Sequence, residues 1–236
     1  MVGKILYYAL AIDNTILFTI CDLGSEQAKS KETMIQTVTQ LIKYMATNMD
    51  ATIRFHKSRM LLHLHSDGSY LSAPKYFSRA GGHFYLSNNA IDPLTGPHNG
   101  PVYVPAKIQK NVLRLAAEAE IGATYVHTRE AINISNMLIG MGHPQTQTPT
   151  QVDNNTSVGF LNGTINIFFR NQPTCVRYYW VQDRTEQWQF YIHWSLGRGN
   201  IGNYHTKYFS PDHHKQVQGV YLHKPTKIMI PGSARV

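Results

Sequence analysis

The stretch Arg59-Met60-Leu61-Leu62-His63-Leu64-His65-Ser66-Asp67-Gly68-Ser69-Tyr70 decides how the chain is read. Leu62 and Leu64 alternate with His63 and His65, the two-residue period of a strand whose faces meet different surroundings. The pattern then reaches Asp67 and breaks at Gly68-Ser69. Aspartate is a poor strand former, so one at a strand end has two readings. It is the turn residue that closes a hairpin strand, or it is a metal-binding carboxylate held on a rigid element. Only other carboxylates brought to the same place separate the two.

On the N-terminal side, residues 1–58 read as helical. A first helix covers residues 4–11, Asp13 caps a second through Ile16, Leu17 and Ile20, and Ser30 caps a third. The third carries an apolar stripe of Met34, Ile35, Val38, Leu41, Ile42 and Met45. A strand is expected at residues 52–56, and after the Asp67 strand others at 81–87 and 101–104, joined by turns at Asn88-Asn89 and Pro97-His98-Asn99-Gly100. The Asp67 strand and these two read as consecutive antiparallel neighbours.

Helical spacing resumes at Val112, Ala116, Ala119, Ala123 and Val126. Glu118 and Glu120 both lie near the edges of that stripe, one facing the rim of the sheet and the other water; spacing does not choose between them. A further helix covers 129–141, and a short strand starting at Thr150 ends in Asp153. Helices at 157–161 and 177–187, a strand at 189–194, a loop at 197–200 and a turn-rich tail holding Tyr204-His205-Thr206-Lys207 complete the order. That order is an α/β chain, in which sites form at strand ends where loops and helix starts converge.

Asp67, Asp153 and one of the two glutamates can therefore meet. Clustered carboxylates repel and raise one another's pKa, and such a cluster lasts at neutral pH when divalent cations neutralise it. All-oxygen ligands favour magnesium or manganese over zinc, and a pair of such ions serves to cut phosphodiesters. A zinc site of His63 and His65 with His213 and His214 competes, although strand histidines ordinarily pack or hydrogen-bond.

With 236 residues the chain holds one large domain or one medium domain with an appendage. The formal charge of +8 suits a polyanionic partner, and Lys107, Lys110, Arg170, Arg177 and Lys207 are candidate contacts to a nucleic-acid backbone. Two cysteines, Cys21 and Cys175, give neither a disulfide framework nor metal spacing. The apolar start is interrupted by Asp13-Asn14-Thr15, too early for a membrane span, and no secretory leader is apparent. The expected location is intracellular, cytoplasmic or nuclear, which makes sequons such as Asn133-Ile134-Ser135 chance matches.

Several ordered motifs carry a resemblance: Val2-Gly3-Lys4-Ile5-Leu6-Tyr7-Tyr8-Ala9, His65-Ser66-Asp67-Gly68-Ser69-Tyr70-Leu71-Ser72, Ser78-Arg79-Ala80-Gly81-Gly82-His83-Phe84, Ala116-Ala117-Glu118-Ala119-Glu120, Asp153-Asn154-Asn155-Thr156-Ser157, Arg177-Tyr178-Tyr179-Trp180 and Asn203-Tyr204-His205-Thr206-Lys207. From Val2 to about His214 the chain resembles the C-terminal part of a copia-type retrotransposon polyprotein, the tail of reverse transcriptase followed by a ribonuclease H domain. The resemblance implies a ribonuclease H-like mixed five-stranded sheet with flanking helices over residues 59–215. It implies a thumb- or connection-like helical segment over 1–58, with the polymerase palm upstream, and a C-terminal tail over 216–236. It also implies two-metal hydrolysis of the RNA strand of an RNA–DNA hybrid with Mg2+ or Mn2+, with the remaining reverse transcriptase domains as a further partner. It selects Glu120 over Glu118, the second glutamate of the family's Ala-Glu-Ala-Glu run, and places the other ligands on Asp67, Asp153 and the position of Asn203.

Two departures stand out. The family's fourth carboxylate is replaced by Asn203, an amide that coordinates without charge. In Arg170-Asn171-Gln172-Pro173-Thr174-Cys175-Val176-Arg177, Gln172 replaces a lysine and Cys175 an aspartate, which removes a phosphate contact and a helix-capping carboxylate. These features point to a decaying element copy. The alternative function is a nucleic-acid-binding remnant that keeps the fold without catalysis.

Overall fold

The computed structural model describes residues 2–29, 32–88, 99–111, 113–165 and 172–224. Three helices come first: α1 (Val2–Ala11), α2 (Leu17–Glu26) and α3 (Glu32–Thr47). Strands β1 (Leu61–Ala73), β2 (Phe77–Ser87), β3 (Pro101–Tyr103) and β4 (Ala106–Gln109) follow, then α4 (Ala116–Gly140), β5 (Thr148–Val152), α5 (Asn155–Leu161), α6 (Gln172–Glu186), β6 (Phe190–Trp194) and α7 (Pro211–Tyr221).

The strands form one mixed sheet in the order β3-β2-β1-β5-β6, with β4 also paired to β2. β1 pairs antiparallel with β2, from Leu61 opposite Ser87 to Ser69 opposite Arg79, and β5 and β6 run parallel to β1. β3 and β4 occupy one edge of β2, at Phe84–Tyr85 and at Ser78–Gly81 respectively. Between them lies Pro105, which has no N–H for a ladder; its carbonyl accepts from the Gly82 N–H at 3.0 Å. The two short strands thus share one position. The mixed five-position sheet with flanking helices, preceded by a helical segment, is the architecture expected of a ribonuclease H-like fold.

The Leu/His alternation sorts the two faces of β1. Leu62 and Leu64 join Phe84, Ile121, Leu138, Val181, Phe190 and Ile192 in the main core under α4 and α6. His63 and His65 point the other way, where His65 Nδ1 accepts from the Ile201 N–H at 3.3 Å. This second face is as dry as the first: His63 is 1% exposed and His65 2%. The cover is a 3₁₀ turn at Ile201–His205 together with α7, through Ile201, Tyr204 and Tyr221.

Several expectations are corrected. β1 does not break at Gly68-Ser69; Asp67 pairs with Gly81 and Gly68 with Ala80 inside the ladder. Residues 52–56 form no strand, only a single bridge from Thr52 to His223. The helices expected at 112–126 and 129–141 are one continuous α4, because His127 and Thr128, polar and wholly buried, face the sheet rather than water. The turn-rich tail contains α7, capped by Ser210 Oγ accepting from the His213 N–H at 3.3 Å. Ser30, Val112 and, of the expected turns, Asn89, Pro97 and His98 lie outside the described residues.

The front helices form as read, with Asp13 capping a 3₁₀ turn at Asn14–Ile16 that leads into α2. Leu41, Met34, Val38 and Met45 pack with α1, α2 and the sheet residues Val104 and Ala106. Ile35 and Ile42 are 67% and 47% exposed, so the stripe is narrower than the spacing implied. Arg79 of β2, 2% exposed, ion-pairs with Asp22 of α2 and lies 4.7 Å from the Phe18 ring centroid. No helix of the described residues is long and apolar enough to cross a membrane.

Among the described glycines, the tightest approach to another backbone is at Gly68, where a Cβ would sit 2.4 Å from the Ala119 carbonyl oxygen and 2.7 Å from the Glu120 nitrogen. Both neighbours are backbone, so neither can rotate away. Gly68→Ala is expected to cost about 2 kcal/mol or more in urea unfolding, as overpacking does. Gly140→Ala, with nothing within 4 Å of the new Cβ, is the control and is expected to be neutral or stabilising. Equal stability of the two variants would contradict the close approach.

Candidate active site

Asp67 from mid-β1, Glu120 from the first turns of α4 and Asp153 just beyond β5 converge, each with an oxygen within 4.8 Å of the others'. The strand order makes this possible, since β1 lies directly beside β5. The approach at Gly68 then carries the α4 backbone onto β1 next to Asp67. Glu118 goes elsewhere: its Oε2 accepts from the Arg114 N–H at 2.7 Å, closing the start of α4. It too is buried, 6% exposed, so neither glutamate faces water as the spacing had implied.

The cluster is electrostatically expensive without a counterion. Burial pushes the Asp67 carboxyl up to about 6, and the Asp153 charge adds to the rise. The Thr206 hydroxyl and the Lys207 charge oppose it. Glu120 is raised well above its ordinary value, by burial first and then by the charges of Asp67 and Asp153. The Gly68 backbone and Lys207 act in the other direction on Glu120.

The segment after β6 supplies the rest. Thr206 Oγ1 hydrogen-bonds Asp67 Oδ2 and is 2.9 Å from the Asn203 carbonyl oxygen. Asn203 Nδ2 donates to Asp153 Oδ2 at 3.1 Å and to the Gly197 carbonyl at 2.8 Å. Its Oδ1 is buried with no hydrogen-bond partner, as is Glu120 Oε2. A Cβ at Gly197 would stand 2.8 Å from Asp153 Oδ2, so only glycine leaves that carboxylate its place. Sequence reading missed Gly197 and the role of Thr206 toward Asp67. Their motifs were visible, but the partner of each lies far away in the chain.

The cluster offers only oxygen donors, and two buried acceptors in it lack a donor. Buried polar atoms are ordinarily satisfied, and a hard divalent cation is the partner that oxygens of this kind accept. The residues present therefore fit a divalent cation. Among the described residues, His63 and His65 do not gather with His213 and His214; the group positioned to share an ion is Asp67, Glu120 and Asp153.

The basic candidates are dispersed. Lys207 lies beside the carboxylates and its ammonium is 5.7 Å from the Phe209 ring centroid. Arg177 of α6 stands 5.7 Å from the Tyr125 ring centroid and beside Gly122, two residues beyond Glu120. Lys107 pairs with Glu130 at 3.3 Å on β4, and Lys110 is exposed just after that strand. Arg170 and the side chains of Gln172 and Cys175 lie outside what the structure describes.

No protein-family model matches the chain, and no curated protein matches it. Among solved structures it is similar to the N-terminal RNase H domain of Rv2228c from Mycobacterium tuberculosis, determined as a fusion with maltose-binding protein. That similarity has a TM-score of 0.44 and 12% identity, over 68% of this chain and 97% of that one. It is also similar to LC11-RNase H1 isolated from compost by a metagenomic approach (TM-score 0.43, 10% identity, 61% of this chain and 91% of that one). A third similarity is to RNase H1 of the halophilic archaeon Halobacterium salinarum (TM-score 0.38, 14% identity, 60% of this chain and 90% of that one).

Proposed function

We propose that this chain hydrolyses the RNA strand of an RNA–DNA hybrid, using two divalent cations, magnesium or manganese. The supporting observation is the convergence of Asp67, Glu120 and Asp153 in one largely buried cluster. These three side chains would hold the cations, with Asn203 Oδ1 as an uncharged fourth ligand. When bound, such ions lower the pKa of an attacking water and stabilise the leaving oxygen.

The chain's own groups do the rest. Thr206 orients Asp67 by donating to Oδ2, and the Asn203 amide orients Asp153. Lys207 places a positive charge beside the carboxylates and meets a phosphate of the bound strand, with Lys107, Lys110, Arg170 and Arg177 as further backbone contacts. Residues 59–215 carry the activity in this reading, 1–58 are the accessory helical segment and 216–236 the tail. A copia-type retroelement origin rests on the ordered motifs of the sequence.

A second reading has one specific observation in its favour. Asn203 removes a fourth charge, and its amide nitrogen occupies an oxygen of Asp153. A chain so altered would bind hybrid without cutting it.

Hydrolysis of labelled hybrid with and without Mg2+ distinguishes the two. Asp67→Asn is expected to lower the rate by more than about 100-fold, beyond the range typical of groups that only support a metal ligand. Asn203→Asp is expected to raise it. Cutting that survives Asp67→Asn would refute the assignment, and binding with no cutting by the unaltered chain would favour the second reading.

Cation binding has its own pH signature. The folded value of Asp67 lies above its unfolded one, so the metal-free fold holds the extra proton between 3.8 and about 6. Stability is therefore lost as pH rises through that window, on the order of 3 kcal/mol for this group. Mn2+ competes with that proton. At cation concentrations about 100 times Kd it is expected to raise Tm by about 5–10 °C at pH 7.5, and by clearly less at pH 5.5. Thr206→Val, which removes a donor to the carboxylate, moves the onset of the cation effect to higher pH. An equal Tm shift at both pH values, or one retained in Asp67→Asn, would show that Mn2+ binds elsewhere.

A further inference from the structure

A cavity of about 600 Å³ lies where the front helices α2 and α3 face the segment from Tyr204 to Lys215. Its volume is within the range of about 300–1,000 Å³ typical of sites for small organic groups. Its lining is distinctive in charge. Lys207 and Lys215 both border it, and the acid on its wall, Asp22, is already neutralised by the buried Arg79 and also accepts from the Tyr208 hydroxyl at 3.0 Å. The balance presented to a ligand is cationic.

The same wall offers aromatic surface. Tyr208 is 59% exposed, yet its ring is fixed edge-on against Phe18, with centroids 4.6 Å apart. Phe209 lies under the Lys207 ammonium. His214 hydrogen-bonds the Tyr204 hydroxyl through Nδ1 and is another ring on the same wall. Cations beside fixed aromatic faces are the features that hold phosphates and stacked bases of single strands.

The cavity adjoins the carboxylates through two consecutive residues. Thr206 hydrogen-bonds Asp67, and Lys207, next in sequence, borders the cavity while its charge acts on Asp67 and Glu120. We infer that this cavity receives an unpaired segment of the nucleic-acid strand that continues from the phosphate at the carboxylate cluster, with Lys207 and Lys215 on its phosphates and a base against Tyr208. The inference rests on the proposed function and extends it: the chain acts at junctions between hybrid and single strand, not only within uniform duplex.

The test measures affinity by fluorescence anisotropy, using hybrids whose RNA strand carries 2′-O-methyl groups so that it is not cut. Blunt hybrid is compared with hybrids bearing a short unpaired overhang at either end of either strand. An overhang at one end of the RNA strand is expected to tighten binding by about tenfold, and a gain from DNA overhangs alone overturns the inference. Lys215→Glu and Tyr208→Ala should abolish that gain and leave the affinity for blunt hybrid unchanged, with urea unfolding confirming that both variants are folded. Absence of any overhang gain, or equal losses on blunt and overhanging hybrids, overturns the inference while leaving the ribonuclease reading intact. If blunt hybrid is not bound but single-stranded oligonucleotide is, and Lys215→Glu and Tyr208→Ala release it, the cavity assignment holds and the ribonuclease reading fails.

Discussion

The contact of one backbone against another at Gly68 is the constraint on which the site depends. A helix ordinarily lies on a sheet with side chains between them. Here the carbonyl of Ala119 reaches the α carbon of β1 itself. That closeness bears on Ala119, the residue of Ala116-Ala117-Glu118-Ala119-Glu120 whose carbonyl meets β1. Alanine is required where the helix touches the strand, and Ala119 is wholly buried. Residues two apart on a helix point about 200° apart, so Glu118 and Glu120 cannot share a destination. One turns back to close the helix start, and the other is carried to Asp67. Loosening the contact would move Glu120 away from the acids it must join.

The alternation of Leu62 and Leu64 with His63 and His65 was legible because it is local. The burial of the histidines was not, since their cover comes from Tyr204, Tyr221 and neighbours over a hundred residues later. The same nonlocality split α4 in the reading of the sequence. The apolar spacing stops at Val126, yet His127 Nδ1 lies 2.8 Å from Ser66 Oγ of the sheet. Burial pushes that imidazole down to about 3, so it stays neutral. Asp67 read as a strand end because aspartate and glycine usually stop strands. Here both remain in the ladder, Asp67 beside Glu120 and Asp153, and Gly68 for the space it leaves to α4. Periodicity could not choose Glu120; the family resemblance did. Gly197 and Thr206 showed no local sign of their roles.

The front helices are tied to the sheet by polar contacts as well as apolar ones. Arg79 is buried on β2 and meets Asp22 on α2; removing either partner would leave a charge stranded. Asp13, Thr15, Tyr44 and Gln218 form a chain of hydrogen bonds from the turn before α2, through α3, to α7. Tyr221 of α7 donates to the Ile201 carbonyl at 2.8 Å, and the Ile201–His205 turn leads into Thr206 and Lys207. The cavity between the front helices and this segment thereby borders the carboxylate cluster.

Asn203 places an amide, not a charge, beside Asp153. A fourth carboxylate beside Asp153 would add repulsion to a cluster in which Asp67 and Glu120 already resist ionisation. The amide instead donates to Asp153 and to the Gly197 carbonyl, which steadies the metal-free arrangement. In the proposed site the amide would also pull less on a cation than a carboxylate, because an amide oxygen brings a dipole where a carboxylate brings a full charge. Stability of the metal-free cluster and the proposed cation affinity would thus move in opposite directions through one side chain. Asn203 lies where that opposition is strongest, with its amide on Asp153 and its free oxygen buried without a donor.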